Sequence, residues 1–384
     1  MWLAYFLTFY IPFVAIVCYA GRMSTVNIRC NGTVKRQSKD YLFVALAYLP
    51  LMVMACFRSE NVGNDNIIYI NFFYHVQEEL RFSDFSVITR YEPGFVLYNK
   101  LLAYFFDSPQ ALLFTSSFFI LASVIRTIMK YSASVWLSVF LFFCINFNST
   151  MVTMRQHIAL AILLFSFDFI VKRKLKYFLL LWFLACTFHY TSTVFVVAYF
   201  AYNLKINRKI LSKLVLLLPI AVLLSFVLLQ PFLNMFHDEG MYEYYDNQNK
   251  FVQGGVQLAT IILIALDAIV LTMVSIVYKA TKNNNVLNHD GLNRLLYLFC
   301  MIGLFVVALS LPFNLFSRVA TFFSFFNCIL IPNAMHELSR RRKYNAANLM
   351  GLFYVVLYGA YYIVINTYRP EWTRIYPYEF CFSL

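Results

Sequence analysis

Long apolar runs follow one another along almost the whole chain, and they constrain its fold more than any other feature. The runs cover residues 2–20, 41–57, 109–130, 133–147, 150–171, 175–188, 189–204, 212–233, 256–279, 293–312, 316–336 and 347–366. A helix of about 20 apolar residues spans the hydrocarbon core of a bilayer. Unpaired backbone groups are too costly in that core, so such runs must form helices. The sequence therefore predicts an all-α polytopic membrane protein, a single integral membrane domain over 1–384 with about twelve transmembrane helices.

Composition supports this prediction and excludes other classes of protein. Apolar residues make up 61% of the chain and charged residues only 13%, whereas soluble domains carry about 25% charged residues. A soluble globular enzyme, a disordered chain and a disulfide scaffold are therefore excluded. The eight cysteines lie mostly within apolar runs. No CxxC pair or Cys/His cluster has metal-site spacing, so we expect buried cysteines and no metal.

The net charge of +13 is typical of a membrane protein that retains basic loops in the cytoplasm and contacts anionic lipid. We therefore expect no nucleic-acid partner. The first Lys or Arg is Arg22, so the N-terminal run is predicted to remain as a span rather than to be cleaved as a signal.

Basic residues also predict the topology. Most of the 31 Lys and Arg residues lie on the cytoplasmic side of the membrane if both termini are outside and the loops 21–40, 172–176, 205–213 and 337–346 are cytoplasmic. The extracytoplasmic loops 58–108 and 234–255 then hold most of the acidic residues. Loops carry function disproportionately, so we expect the functional site on the outer side.

The distribution of basic residues also predicts how the segments 92–106 and 175–204 lie in the membrane. If residues 92–106 crossed the membrane, most of the basic residues after them would move outside, so this segment is predicted to be a re-entrant or interfacial helix. Residues 175–204 have basic residues at both ends and a polar centre around His189. Two short helices that meet near His189 keep both ends inside, which is tolerated where the turn is buried or faces water.

Polar clusters near the predicted outer face are the candidate sites. The first, between Arg58 and Tyr69, holds an arginine, two carboxylates and three amides, a mixture that suits sugar hydroxyls but is also typical of a self-bonded loop. In the second, Glu92 precedes Pro93 at a helix start, which is a structural signal or a catalytic carboxylate.

Further polar residues lie within or beside predicted spans. An arginine such as Arg155 near the start of a span is costly unless it faces a cavity, a partner or the interface. Arg155, His189 and Arg318 are candidates for one cavity, where guanidiniums would bind a pyrophosphate. Asp168 and Asp267 are candidates for an ion relay, although neither has an obvious basic partner in the sequence.

The order of these motifs resembles the EpsG family of polysaccharide polymerases, which are similar to Wzy-type O-antigen polymerases. The motifs are Arg58…Gly63-Asn64-Asp65…Tyr69, Glu92-Pro93-Gly94-Phe95, Met154-Arg155-Gln156, Phe188-His189-Tyr190-Thr191-Ser192 and Ser317-Arg318. The resemblance covers residues 40–335. His157 departs from it, because a small or apolar residue is expected there.

The resemblance implies a C-type membrane glycosyltransferase in the bacterial cytoplasmic (inner) membrane, with its site facing the periplasm or outside. It transfers a growing glycan from undecaprenyl pyrophosphate to the non-reducing end of a lipid-linked repeat unit. No cofactor or metal is implied, and a Wzz-type chain-length regulator is the implied partner.

This chemistry assigns expected roles to the candidate residues. Cations stabilise the departing pyrophosphate, and these are Arg155, Arg318 and Arg58. The acceptor hydroxyl needs a base, for which the candidates are His189, Asp65 and Glu92. The helix dipole lowers the pKa of Glu92, which ranks it below the other two. The residues expected to bind the glycan are Asn64, Asn66, Tyr69 and Gln156.

Other functions remain open. A repeat-unit flippase or another transporter also needs many spans and a cavity, but no matching pair of Gly/Pro-interrupted helices indicates inverted repeats. An O-antigen ligase uses similar chemistry on a different acceptor. A membrane acyltransferase is a further alternative, although the chain shows no clear His/Asp acyl-transfer pairing.

Overall fold

The described part of the chain is mostly helical. The computed structural model describes residues 1–19, 29–30, 33–34, 36–82, 91–205, 219–220, 222–223, 227, 258–279, 291–311 and 315–382. The helices are α1 (Trp2–Tyr19), α2 (Ser38–Cys56), α3 (Asn66–Phe82), α4 (Pro93–Phe105), α5 (Gln110–Tyr131), α6 (Val135–Val152), α7 (Met154–Val171), α8 (Leu175–Phe188), α9 (Tyr190–Ala201), α10 (Leu258–Lys279), α11 (Gly291–Leu309), α12 (Leu315–Ser324), α13 (Asn327–Arg340) and α14 (Tyr344–Tyr368). Between α1 and α2, β1 (Arg29–Cys30) pairs antiparallel with β2 (Thr33–Val34).

In the described part of the chain, nine segments are long and apolar enough to cross a membrane. They are α1, α2, α5, α6, α7, α10, α11, α14 and the continuous segment Phe316–Arg340 formed by α12 and α13. The prediction of an all-α polytopic membrane protein is thereby confirmed. The predicted run 212–233 lies largely outside the described residues, so the number of twelve spans stays a prediction.

The predicted loop 58–108 contains two helices. One is α3, which the sequence analysis did not predict. The other is α4, which confirms a helix in 92–106. Its 13 residues are about 20 Å long at 1.5 Å per residue, too short for a hydrocarbon core of about 30 Å. Whether α4 is re-entrant or interfacial stays a prediction.

The two short helices predicted in 175–204 are confirmed. Helix α8 ends at Phe188, and His189 has extended backbone angles (φ −158°, ψ 116°). Helix α9 then begins with a 3₁₀ stretch over Tyr190–Val196. The N–H of His189 donates to the carbonyl oxygen of Ala185 (3.1 Å), and its own carbonyl oxygen accepts from Ser192 N–H (3.1 Å). Backbone bonds to both helices therefore fix the position of this residue.

The described residues group into two compact units, Met1–Thr193 with Ile331–Leu384, and Val194–Leu330. In the second unit α10 packs on α11 and α11 packs on α12. There Asp267 accepts a hydrogen bond of 2.8 Å from the Asn327 side chain. The single membrane domain stays a prediction.

In the first unit, Asp168 has three partners, which corrects the expectation that it has no basic one. Its carboxylate accepts hydrogen bonds from Arg126, from Lys130 (2.5 Å) and from the Tyr131 hydroxyl (2.6 Å). This pairing could not be predicted from the sequence, because the cations lie on α5, about 40 residues before Asp168. They reach Asp168 only because α5 packs on α7. Asp168 is therefore the centre of an ion-pair cluster that joins α5 to α7, and its role in an ion relay stays a prediction.

Contacts within this unit join segments that the charge pattern predicts on the same side of the membrane. Arg36 and Asp168, both near predicted cytoplasmic loops, bond to the last turn of α5 and to the residue after it. At the other end, the chain after α2 is bonded to the tail after α14, for example by Ser59 N–H to Glu379 O (2.9 Å). The contacts agree with the predicted grouping, and the side that each end faces stays a prediction.

Candidate active site

Glu92 lies at the start of α4, and its side chain is buried. Its backbone is extended (φ −63°, ψ 140°), and Pro93 occupies the first helical position, where its missing N–H costs nothing. The carbonyl oxygen of Glu92 accepts the first helical bonds, from Phe95 N–H (3.0 Å) and Val96 N–H (3.1 Å). The side chain makes no cap to its own helix, so the carboxylate is available for contacts with other helices.

Each oxygen of the Glu92 carboxylate contacts a different helix. Oε2 accepts a hydrogen bond from the Arg155 guanidinium on α7. Oε1 lies 3.1 Å from Nδ1 of His189 and accepts a longer bond of 3.4 Å from the Tyr190 backbone N–H. Three of the residues predicted from separate clusters are therefore in direct contact.

Gly94 explains how α4 approaches α8 so closely. A Cβ atom at Gly94 would lie 2.3 Å from Oγ1 and 2.8 Å from the carbonyl oxygen of Thr187. Only glycine avoids this overlap. The Pro93-Gly94 pair thus serves two purposes, because it begins the helix and lets the helix start fit against the end of α8, next to His189.

Aromatic rings surround the Arg155 guanidinium. Its Cζ atom lies 5.0 Å from the ring centroid of Tyr91 and 5.9 Å from those of Tyr69 and Phe95. Phe72 packs behind them, 4.1 Å from Tyr91 between centroids. Aromatic faces attract a cation electrostatically, so α3 and α4 hold Arg155 in place together with Glu92. Tyr69, which was predicted to bind the glycan, thus contacts Arg155, which was predicted to bind the pyrophosphate.

The electrostatics of Glu92 disfavour it as a base. Burial raises the pKa of its carboxyl, but the hydrogen bond with His189 and the charge of Arg155 lower it by more, and the net pKa lies below its usual value. The ionised carboxylate only accepts hydrogen bonds, so His189 donates from Nδ1. In the neutral imidazole the basic nitrogen is then Nε2.

The two residues after Arg155 are buried. Nδ1 of His157 lies 3.0 Å from both the hydroxyl and the carbonyl oxygen of Thr153. Thr153 is the residue between α6 and α7, with non-helical angles (φ −97°, ψ 64°). His157 therefore bonds to the helix start, and its position does not shift the register that brings Arg155 to Glu92. Gln156 also lies within the packed interior.

Two amides of the 58–69 segment, Asn64 and Asn66, donate to backbone carbonyl oxygens. Nδ2 of Asn64 donates to the carbonyl oxygens of Glu371 (3.0 Å) and Trp372 (2.7 Å). Nδ2 of buried Asn66 donates to the carbonyl oxygen of Val62. Asp65 is half-buried at the start of α3. The self-bonded loop is favoured for Asn66, whereas Asn64 joins the segment to the tail after α14. Glycan binding by either residue stays a prediction.

Arg58 is fully buried. It is not one of the described partners of the Glu92 carboxylate, which include Arg155 and His189. It donates to the carbonyl oxygen of Ala55 (2.6 Å) and to the hydroxyl of Ser117. Burial lowers the pKa of its guanidinium to about 10. These bonds join the end of α2 to α5, which is a structural role, and pyrophosphate binding by Arg58 stays a prediction.

Arg318 lies on α12 of the second unit and is half-buried. Its predicted role at the pyrophosphate also stays a prediction. Within the described ranges, no three His, Cys, Asp or Glu side chains are grouped so as to hold a metal ion.

Comparison with known proteins gives one match. The family model of the EpsG family matches residues 41–380. No curated protein and no solved structure matches the chain. The match covers Glu92, Arg155, His189 and Arg318, and nearly all of the tail that follows α14.

Proposed function

Because this chain belongs to the EpsG family, which supports a role of the polysaccharide-polymerase type, we propose that it polymerises a surface glycan. It is a metal-independent membrane glycosyltransferase of the C type. It transfers the growing chain from undecaprenyl pyrophosphate to the non-reducing end of a lipid-linked repeat unit. The observation that carries this proposal is the Glu92 carboxylate, which bonds to both Arg155 and His189.

His189 is the proposed base. With Nδ1 directed to Glu92, Nε2 takes the proton of the acceptor hydroxyl as the acceptor oxygen forms its bond to the anomeric carbon of the donor. The bond between that carbon and the pyrophosphate oxygen breaks, and undecaprenyl pyrophosphate leaves with the electron pair. Glu92 then stabilises the imidazolium, in the way that a carboxylate orients and stabilises a catalytic histidine. Asp65 is the alternative base.

Arg155 is the proposed ligand of the leaving pyrophosphate. Its planar guanidinium matches phosphate oxygens, and the rings of Tyr69, Tyr91 and Phe95 hold it near the carboxylate. Charge that develops on the leaving group is stabilised most by cations already in position. Arg318 is proposed to contribute a second cation.

The proposed location is the bacterial cytoplasmic (inner) membrane, with the site facing the periplasm or outside. The acidic predicted loops and the excess of basic residues in the opposite loops support this orientation. Phosphatase fusions after residues 85 and 245 should be active and a fusion after 342 inactive. The reverse pattern would overturn the proposed location. A Wzz-type chain-length regulator is the proposed partner.

A flippase and a ligase remain the alternatives, and a deletion strain separates them from a polymerase. Loss of a polymerase leaves one repeat unit on the acceptor at the cell surface. Loss of a flippase or ligase leaves none. For a direct test, the purified protein in lipid nanodiscs is mixed with lipid-linked repeat units extracted from that strain. We expect a ladder of products spaced by one unit, and products that never exceed one unit would overturn the proposal.

A further inference from the structure

The tail that follows α14 folds back onto the segment between α2 and α3. Backbone N–H groups of Ser59, Gly63 and Asn64 donate to carbonyl oxygens of the tail at 2.9 to 3.2 Å. Cys381 N–H donates in return to the Phe57 carbonyl oxygen (2.9 Å). The two segments therefore form one continuous structure within the first unit.

A cavity of about 300 Å³ lies between the tail and this segment. Its polar lining comes from Asn61, Glu371, Arg374 and Glu379. Val62 and two prolines contribute apolar surface. The volume is at the lower end of the range for small-molecule sites, about 300–1,000 Å³.

Arg374 is held in an unfavourable backbone conformation at the edge of this cavity. Its φ of 49° lies in the left-handed region, which is unfavourable for a residue with a Cβ. Its N–H donates to Pro370 O (2.9 Å), and its carbonyl oxygen accepts from Gly63 N–H (3.1 Å). The backbone is thus fixed from both sides, and such strain is concentrated at functional positions.

The charged groups that line the cavity do not pair with one another. Among the described residues, Glu371 pairs with Arg369 (3.6 Å), which is outside the lining, and no ion pair involves Arg374 or Glu379. Trp372, which is exposed, lies beside this pair, with its ring 5.8 Å from Cζ of Arg369. The guanidinium, the carboxylates and the amide of the lining provide hydrogen-bond donors and acceptors, and Tyr376 adds an aromatic side chain.

We propose that this tail cleft, defined by Asn61, Glu371, Arg374 and Glu379, binds sugar residues of the glycan. The proposal rests on the proposed function, and it adds a subsite for the repeat unit outside the Glu92 site. Carboxylates and amides accept and donate to neighbouring hydroxyls, while the apolar walls cover the sugar face. A protein partner is disfavoured, because stable interfaces bury about 800 Å² on each side and this cleft is a small concavity.

The cleft is connected to the Glu92 site by a short stretch of chain. Gly63, with φ of 109°, bonds to Arg374, and α3 begins three residues later at Asn66. Tyr69 lies one helical turn further, about 5 Å, and contacts Arg155. The tail cleft and the Glu92 site are therefore both supported by α3 and the segment before it.

Arg374→Gly tests this directly, because glycine adopts the positive φ without strain and the whole side chain, with its guanidinium, is removed from the cleft. Glu379→Gln is the second variant and keeps the side-chain shape. Arg342→Gly is the matched control, since Arg342 also has a positive φ of 59° and is exposed on the turn after α13. The probe is the repeat-unit oligosaccharide freed from its lipid carrier by mild acid, and binding is measured calorimetrically on the protein in nanodiscs.

We expect the Kd to rise about tenfold, the loss of one good polar contact, in Arg374→Gly and Glu379→Gln but not in Arg342→Gly. Unchanged binding in both variants would overturn the cleft while leaving polymerisation by the wild type intact. Weakened binding in a protein that makes no ladder would support the cleft and refute the polymerase. Intact sugar binding with lost capture of a purified chain-length regulator would overturn the sugar proposal in favour of a protein partner.

Discussion

Nδ1 of His189 lies 3.1 Å from Oε1 of Glu92, although 97 residues separate them in the chain. The contact exists because Gly94 lets the start of α4 approach the end of α8, and because His189 is the extended residue after α8. The same carboxylate holds Arg155. Glu92 therefore organises a cation and an imidazole at one place.

Glu92→Gln tests this organising role. Glutamine keeps the shape but removes the charge that holds Arg155, and its amide can present a donor to Nδ1 and so change the tautomer of His189. We expect the polymerisation rate to fall about 10²-fold or more, with normal amounts of protein in the membrane. Glu78→Gln on α3 is the control, because Glu78 is exposed. Equal rates for the two variants would contradict the role.

The sequence predicted one cavity for Arg155 and His189 and a separate cluster for Glu92, and hydropathy predicted the helices that carry them. The direct contacts of Glu92 with both residues were beyond sequence reasoning, because no local pattern tells which helix starts and ends meet. Only the family resemblance placed Glu92 with the other two. The close fit of Gly94 against Thr187 was also missed, since a glycine after Pro93 has an equally good local explanation as part of a helix start.

Long-range packing also explains where the predictions for polar residues were weakest. Arg58 was predicted at the site because it follows a span and begins a polar loop. Its guanidinium is instead directed to Ser117 on α5, a contact that depends on how α2 and α5 pack. The tail after α14 carries no recognised motif, so its contacts with the 57–64 segment were not predicted.

Arg155→Lys should lose most polymerisation while the protein stays in the membrane. Lysine keeps the charge but loses the planar fork and its stacking on Tyr91. A loss of about 10²-fold is expected for one missing transition-state contact. Arg126→Lys is the matched control, since Arg126 also pairs with a carboxylate, Asp168, that keeps Lys130 and Tyr131. Normal chain lengths from Arg155→Lys would show that Arg155 is an anchor rather than a pyrophosphate ligand.

Arg318→Ala is predicted to behave like Arg155→Ala, and the double variant should lose little more than either alone. Residues that stabilise one leaving group act as a unit, so their losses are not additive. The rates are measured with purified lipid-linked repeat units for the wild type, the two single variants and the double variant. Fully additive losses would assign the two arginines separate roles.

Gly94→Ala should disturb the site through packing alone. The new Cβ would overlap both Oγ1 and the carbonyl oxygen of Thr187, so α4 must shift and carry Glu92 away from His189. We expect destabilisation of about 1–3 kcal/mol, seen as a lower Tm, together with loss of polymerisation. Gly359→Ala on α14 is the control, because the nearest atom to its added Cβ lies at 3.4 Å, an ordinary contact. Normal activity in Gly94→Ala would show that this close approach does not position Glu92.

The pH dependence of the rate distinguishes His189 from Asp65 as the base. A base works in its deprotonated form, so the rate rises with pH through its pKa, about 6–7 for an imidazole and about 4 for an ordinary carboxyl. The lowered pKa of Glu92 keeps that carboxylate ionised throughout the neutral range, so a limb there does not come from Glu92. We expect the polymerisation rate of the wild type to rise with pH near pH 6–7. We expect His189→Gln to abolish this rising limb of the pH–rate profile along with most of the rate. His75→Gln, at an exposed histidine of α3, should keep both the limb and the rate. A limb that survives in His189→Gln would remove His189 as the base and leave Asp65 as the stronger candidate.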